Sequence, residues 1–297
     1  MALKAKAPED VKPSKPKMLI SGESGVGKTF FALEFPKPYF FDTEQGATRQ
    51  QYQDKLKKSG GVYFGKDEGS QDFKAVIEET KQLCTTKHEY RTAIYDSFTY
   101  LYMLEAAIAE ADKGSDFGRD KKMANIPTRQ LMSQLEKLDM NIILICHSKT
   151  KWERKGKDII DAGSTFDGYD KLEYILDLWI EIPKGGKTFI VRKSRIDSLK
   201  QGDSYPLSYE KFAELYGKDV IEKPSVPLVL ATAEEVARLN TLVEGLKVDA
   251  ETVGKWLTKC DVDTFADMSQ TQIQSLIAFC EKKLTELTIK NKEIKNG

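Results

Sequence analysis

The chain has 297 residues, of which 40% are hydrophobic and 31% charged, and its 46 basic and 46 acidic side chains leave a formal net charge of zero. That length supports one large domain and a smaller one, and the charge balance excludes a global basic field that would recruit nucleic acid, so any such affinity must come from local patches. The cysteines Cys84, Cys146, Cys260 and Cys280 form no C-x-x-C pair, which argues against a zinc site or disulfide framework. With no leader-like or long apolar stretch, a reducing cytoplasm and no membrane partner are expected.

Residues 1–17 hold five lysines against Glu9 and Asp10 without apolar periodicity, so a disordered basic arm is expected. Met18-Leu19-Ile20 then reads as a strand leading into Gly22-Glu23-Ser24-Gly25-Val26-Gly27-Lys28-Thr29, and residues 30–35 read as the start of a helix. This is G-x-x-x-x-G-K-T between strand and helix, the context that makes the pattern a phosphate-binding loop rather than a chance glycine-rich turn. Its glycines let backbone N–H groups cradle phosphate oxygens at the helix start. Lys28 is expected to reach the β- and γ-phosphates and the Thr29 hydroxyl to bind Mg²⁺, so ATP and Mg²⁺ are the expected cofactors.

Beyond Pro36 and Pro38, Tyr39-Phe40-Phe41 reads as a buried strand ending in Asp42-Thr43-Glu44, and Gly46 opens a polar helix to about residue 58. Val62-Tyr63-Phe64 is a further strand, after which Phe73, Ile77, Thr80 and Cys84 fall on one helical face. Thr92-Ala93-Ile94-Tyr95-Asp96 reads as a strand ending in a carboxylate, followed by an apolar helix over 98–109 and an exposed loop over 110–125. A helix over 128–138 turns Leu131, Leu135 and Leu138 inward. The run Asn141-Ile142-Ile143-Leu144-Ile145-Cys146-His147 suits a central parallel strand, with Cys146 a small core residue. A polar loop over 149–170 precedes two strands, 174–182 and 188–192, around the turn Pro183-Lys184-Gly185-Gly186-Lys187. Alternating strands and helices imply an α/β fold with a mainly parallel sheet and its ligand at the strand C-termini.

A boundary is expected near Pro224-Ser225-Val226-Pro227, dividing a core over 18–224 from a small helical module over 225–297. In that module Thr232 with Glu235 and Ser269 with Gln272 fit capping boxes. Val236, Leu239, Leu242, Val243 and Leu246 form one apolar stripe, and Ile273, Leu276, Ile277, Cys280 and Leu284 form another.

Three strand ends converge on the expected phosphate. Asp96 suits the acid that holds Mg²⁺ through water. Glu44 suits a base that polarises the attacking water, the alternative being a cap on the following helix. His147 ends the central strand where a donor could sense the γ-phosphate, the alternative being a satisfied strand-end histidine.

These residues carry a resemblance. Phe41-Asp42-Thr43-Glu44 resembles the RecA family strand that bears its catalytic glutamate in Asp-x-Glu, and Ile94-Tyr95-Asp96-Ser97 resembles that family's Walker B strand. Ile143-Leu144-Ile145-Cys146-His147 resembles its sensor strand, with His where RecA has Gln. Val191-Arg192-Lys193-Ser194-Arg195 resembles the late strand whose two basic residues reach a neighbour's ATP, which would give Lys193 and Arg195 a catalytic role in trans. The resemblance spans about residues 18–200. More narrowly, the chain is similar to the phage-encoded RecA-like ATPases of the single-strand annealing and recombination proteins, the Sak group.

The resemblance implies a RecA-like P-loop core with a helical tail, DNA-stimulated ATP hydrolysis with Mg²⁺, and an oligomer on single-stranded DNA, with a phage or host single-strand binding protein as a further partner. Two departures stand out. The chain has no N-terminal polymerisation helix and none of RecA's DNA-binding loop sequences. The segments that match RecA's mobile loops are 110–125 and 149–170. The second contains Lys149-Thr150-Lys151-Trp152-Glu153-Arg154-Lys155-Gly156-Lys157, five cations against one acid with a tryptophan inside. Cations for phosphates and an aromatic for base stacking make Lys151, Trp152, Arg154, Lys155 and Lys157 the candidate DNA contacts, against the alternative of an ordinary solvated loop. The first functional expectation is an ATP-driven DNA annealing and recombination protein. The second is a P-loop switch or loader that docks a replication partner through its helical tail. A metabolic kinase is disfavoured, because Glu44 suits water better than a substrate hydroxyl and no lid-like arginine cluster is present.

Overall fold

The apolar runs of the sequence become the strands of one sheet, as seen in a computed structural model that describes residues 5, 13–113, 119–156 and 158–295. In chain order the first half holds β1 (Lys17–Gly22), α1 (Lys28–Ala32), β2 (Pro38–Asp42), α2 (Gln50–Ser59), β3 (Val62–Phe64), α3 (Phe73–Thr85), β4 (Thr92–Asp96), α4 (Phe98–Lys113) and α5 (Arg119–Lys137). Then come β5 (Asn141–Lys155), β6 (Asp158–Phe166), α6 (Leu172–Ile175), β7 (Leu178–Ile182), β8 (Thr188–Ser194), β9 (Ser204–Pro206), α7 (Tyr209–Tyr216) and α8 (Lys218–Ile221). The last helices are α9 (Ala233–Gly245), α10 (Ala250–Cys260) and α11 (Gln270–Lys295). No helix among the described residues is long and apolar enough to cross a membrane.

The strand order is β3-β2-β4-β5-β1-β7-β8-β9, with β6 paired to β5 off this path. Six strands, β3 to β7 in that order, are mutually parallel, and β8 and β9 close the edge antiparallel. The inner strands are buried on both faces, which is why Met18-Leu19-Ile20 and Ile142 to Cys146 are unbroken apolar runs rather than alternating ones. The chain leaves β1 for strands on one side and later returns to β7 on the other, so β1 ends at the switch point where such sheets bind ligands. One face is covered by α1 and α7 through an aromatic cluster: Phe212 packs on Phe35 and Phe31 at centroid distances of 5.4 and 6.2 Å.

The structure departs from the sequence reading in several places. The N-terminal arm does not extend to residue 17: Lys17 opens β1, and Lys15 is buried, with Nζ donating to the carbonyls of Asp139 and Pro224 at 2.8 and 3.0 Å. Most of that arm, 1–4 and 6–12, lies outside the described residues. The loop expected over 110–125 is mostly helix, since α4 runs to Lys113 and α5 begins at Arg119; residues 114–118 lie outside the described residues. The helix expected from 128 starts nine residues earlier, so Pro127 sits inside α5. The polar loop expected over 149–170 is largely a two-stranded arm, as β5 runs on past the sheet and pairs with β6. Its strands are exposed on both faces over most of their length, so no polar–apolar alternation marks them. Residues 174 and 175, expected at the start of a strand, fall in α6.

By internal contacts the chain divides into one unit of residues 1–83 and 87–226 and another of 84–86 and 227–297. The second unit closes a helical core of Leu239, Met268, Ile273, Ile277 and Cys280. Thr232 and Glu235 exchange side-chain and backbone bonds in a full capping box, and Ser269 with Gln272 does the same.

Phe212→Ala removes a ring from the centre of the aromatic cluster. It is expected to cost about 3–5 kcal/mol of unfolding free energy, read as a lower denaturant midpoint with an unchanged slope.

Candidate active site

The site forms where β1, β2 and β4 end beside His147, the point at which β5 leaves the sheet. Parallel pairing sets Gly22 beside His147, and Asp42 beside Asp96. Between β1 and α1 the phosphate loop turns on Gly25 and Gly27, both at positive φ (+79° and +96°), a conformation open to glycine at no steric cost. Lys28 follows directly, and its buried Nζ donates to the carbonyls of Gly22 and Glu23 at 2.9 and 2.8 Å. Burial holds its pKa below the ordinary lysine value, against the attraction of Asp96 and Glu44.

Thr29 Oγ1 donates to Asp96 Oδ2 at 2.5 Å. Asp96 is buried, and that burial pushes its carboxyl up to about 6, only partly offset by the Thr29 bond. The Asp96–Ser97 peptide is cis. Asp42 is spent differently: its two oxygens accept the backbone N–H groups of Gly46 and Ala47 at 2.9 and 2.7 Å, which folds the chain after β2 into a tight turn. Thr43, next along, is stitched to β4 by its N–H to the Asp96 carbonyl at 2.8 Å and by its hydroxyl to the Ser97 carbonyl at 3.0 Å. These bonds fix the segment that carries Glu44.

Glu44 and His147 meet across the strand ends, with Nε2 to Oε1 at 2.8 Å. The same Oε1 accepts the Ser97 hydroxyl, whereas Oε2 has no hydrogen bond among the described residues. The bond from His147 holds the Glu44 carboxyl below its ordinary range, and the Glu44 carboxylate raises the imidazole above its own. His147 is itself anchored, its N–H donating to Thr99 Oγ1 at 3.0 Å and its carbonyl accepting from the Asp167 N–H at 2.8 Å. The neighbouring Cys146 thiol is pushed up to about 12 by burial, as befits a core residue.

The structure therefore gathers Gly22 to Thr29, Glu44, Asp96 and His147. It does not bring Lys193 and Arg195 to them. Lys193 faces Trp179, which pairs with Leu19 three positions before Gly22. At about 3.3 Å per residue this is about 10 Å from the phosphate-loop end of the sheet, and Arg195 lies two residues farther along the chain, just past the end of β8. Lys193 Nζ donates to the Leu176 carbonyl, and Arg195 lies 2.6 Å from the Tyr174 carbonyl and 3.3 Å from Asp177. Only the loop of a second subunit is compatible with the trans role expected of them.

The candidate DNA contacts lie together on the β5–β6 arm, apart from Lys157, which lies outside the described residues. Trp152 is 64% exposed; it faces Asp161 across the arm, and Arg154, on the same side, faces Ile159. Lys155 faces Asp158, and Lys151 pairs with Glu153 at 2.7 Å. Folding thus brings Asp158 and Asp161 against a run that looked almost purely cationic. Ser97, Thr43 and Thr99 were not singled out from sequence. Ser97 carried a readable signal, a serine just before a helix whose hydroxyl accepts the Tyr100 N–H at 3.1 Å; Thr99 carried none.

Residues 14–204 match the family described as AAA domain. A comparison with curated proteins gave no match. Among solved structures, the chain is similar to a prototypical ATPase from the type III secretion system of pathogenic bacteria, at 14% identity and a TM-score of 0.39, covering 96% of this chain and 90% of that one. It is also similar to the protein PH0250 from Pyrococcus horikoshii OT3, at 11% identity and a TM-score of 0.34, covering 66% and 94%. Likeness at that level carries no argument about activity.

The Glu44–His147 pair makes a pH prediction. The contribution of the raised His147 is full below the unfolded imidazole pKa and is lost as pH rises through the folded one. That of the lowered Glu44 is full above the unfolded carboxyl pKa and is lost as pH falls through the folded one. With only two histidines in the chain, NMR titration is expected to show His147 titrating above the ordinary imidazole range, and Glu44→Gln to return it toward that range. An unmoved midpoint in the variant would mean the pair does not form in solution.

Proposed function

The chain belongs to the AAA domain family, and on that premise we propose that this P-loop ATPase hydrolyses ATP with Mg²⁺ as an oligomer on single-stranded DNA and promotes annealing in phage recombination. Lys28, whose Nζ bonds its own loop carbonyls, would leave them to take up the β- and γ-phosphates. Thr29 and Asp96 offer hard oxygen donors side by side, a set that suits Mg²⁺. Bound there, Mg²⁺ would neutralise charge on the transferred phosphoryl group. Glu44, anionic and held through Oε1, keeps Oε2 for orienting the attacking water.

The observation that carries the DNA reading is that one strand does two things. β5 brings His147 to Glu44 and then continues as the exposed arm with Trp152, Arg154 and Lys155. An aromatic beside cations on an exposed strand suits stacked bases and their phosphates. The resemblance to the Sak group supports annealing as the outcome and a single-strand binding protein as a partner. A second reading, a loader that docks a protein partner, is favoured by exposed Phe279, Leu287 and Ile289 on α11.

ATP turnover measured with and without single-stranded DNA separates the two. Stimulation is expected for the DNA reading. Trp152→Ala should then weaken DNA binding by about 1–3 kcal/mol at an unchanged salt slope. Replacing Lys151, Arg154 and Lys155 by Ala should flatten that slope. Turnover indifferent to DNA, with both variants binding DNA as the wild type does, would leave the loader reading standing.

A further inference from the structure

The β7–β8 hairpin touches the phosphate loop at one end and the β5–β6 arm at the other. Toward the loop the contacts are backbone on backbone. A Cβ on Gly22 would lie 2.6 Å from the Ile182 carbonyl oxygen, and a Cβ on Gly186 would lie 2.5 Å from the carbonyl oxygen of Val26. Both separations are too short for any side chain, and Gly186 also has a φ of +62°. The turn after β7 therefore rests directly against the loop, with no flexible side chain between them to absorb a shift.

Toward the arm the contacts are side chains of β7. Glu181, one residue before Ile182, is buried and accepts the Ser164 hydroxyl of β6 on Oε1 at 2.6 Å. Its Oε2 accepts from Arg192 Nε. Arg192 is the extra residue of a β-bulge, since Trp179 faces Lys193 while Ile180 faces Val191; a bulge re-aims a side chain, here toward Glu181. Two residues earlier, Trp179 meets Phe166 of β6 edge to face at 5.2 Å and donates its indole N–H to Ser21 Oγ of β1 at 2.8 Å. The root of β6 is thus gripped twice by the strand that lies against the phosphate loop.

We propose that the β7–β8 hairpin couples the phosphate loop to the arm, with Gly186 and Glu181 as positioning residues at its two contacts. The proposal rests on the ATP-site reading, and it adds a route that bypasses His147. Phosphate binding fixes the loop's backbone N–H groups. The turn against Val26 and the Ile182 carbonyl against Gly22 carry that change into β7, and Glu181 and Trp179 carry it to Ser164 and Phe166.

The test is hydrogen exchange of the arm amides (residues 149–155 and 158–165) in the full-length chain, with and without a non-hydrolysable ATP analogue and Mg²⁺, beside a titration of analogue affinity. In the wild type the analogue is expected to change arm exchange by about 5-fold or more. Glu181→Gln and Ser164→Ala should bind the analogue as the wild type does and lose the arm response. Ser164→Ala deletes only a hydroxyl, so it separates lost coupling from lost folding. Gly186→Ala should weaken analogue affinity by about 10-fold or more, from strain where loop and turn meet. An arm that ignores bound analogue in the wild type, or a response that persists in both Glu181→Gln and Ser164→Ala, overturns the coupling alone. Failure of the wild type to bind the analogue overturns the ATP-site reading and the coupling with it.

Discussion

The register of four parallel strands is the constraint on which the site depends. β1, β2 and β4 end beside the point where β5 leaves the sheet because their ladders pair Gly22 with His147, Asp96 with Ile145 and Asp42 with Asp96. A slip of one residue in any of them would turn its terminal side chain to the opposite face. Close packing on both faces opposes that slip, since side chains such as Ile94 and Ile143 would leave the neighbours they fit and enter the opposite face. The continuous apolar runs thus serve the chemistry indirectly: they fix where the polar strand ends stop.

That register also creates a charge problem, because Asp42, Glu44 and Asp96 are drawn together near one buried lysine. Each carboxylate is given a separate partner. Asp42 accepts two backbone N–H groups, Asp96 accepts from Thr29, and Glu44 accepts from His147 and Ser97. Burial raises Asp42 and Asp96, while hydrogen bonding lowers Glu44. The most exposed of the three carboxylates is therefore the one held anionic, the state a base needs. The buried Asp96 beside Thr29 is the one that gains most from a cation.

Much of this was legible in the sequence because it depends on local order. The phosphate loop is contiguous, and Asp96 and His147 each end an apolar run, so their level in the sheet follows once the strands are parallel. Glu44 follows a run in the same way, and the Asp-x-Glu pattern separated it from a helix cap. What stayed hidden depends on contacts between distant segments. The arm has polar residues on both faces, so only pairing with 158–166 reveals 149–155 as strand. Lys15 reads as part of a solvated tail until the carbonyls of Asp139 and Pro224 are found around it. Gly186 reads as any turn glycine, and its need for glycine comes from Val26, far away in the chain.

The proposal that Glu44 is the base of a hydrolytic site at these strand ends is tested by single-turnover ATP hydrolysis in Glu44→Gln, with nucleotide affinity measured on the same protein. The amide keeps the shape of the side chain but cannot polarise water, so affinity should stay near that of the wild type while the rate falls by about 10²–10⁴-fold. Hydrolysis at the wild-type rate with ATP bound would contradict the claim and reduce Glu44 to an ion-pair partner of His147.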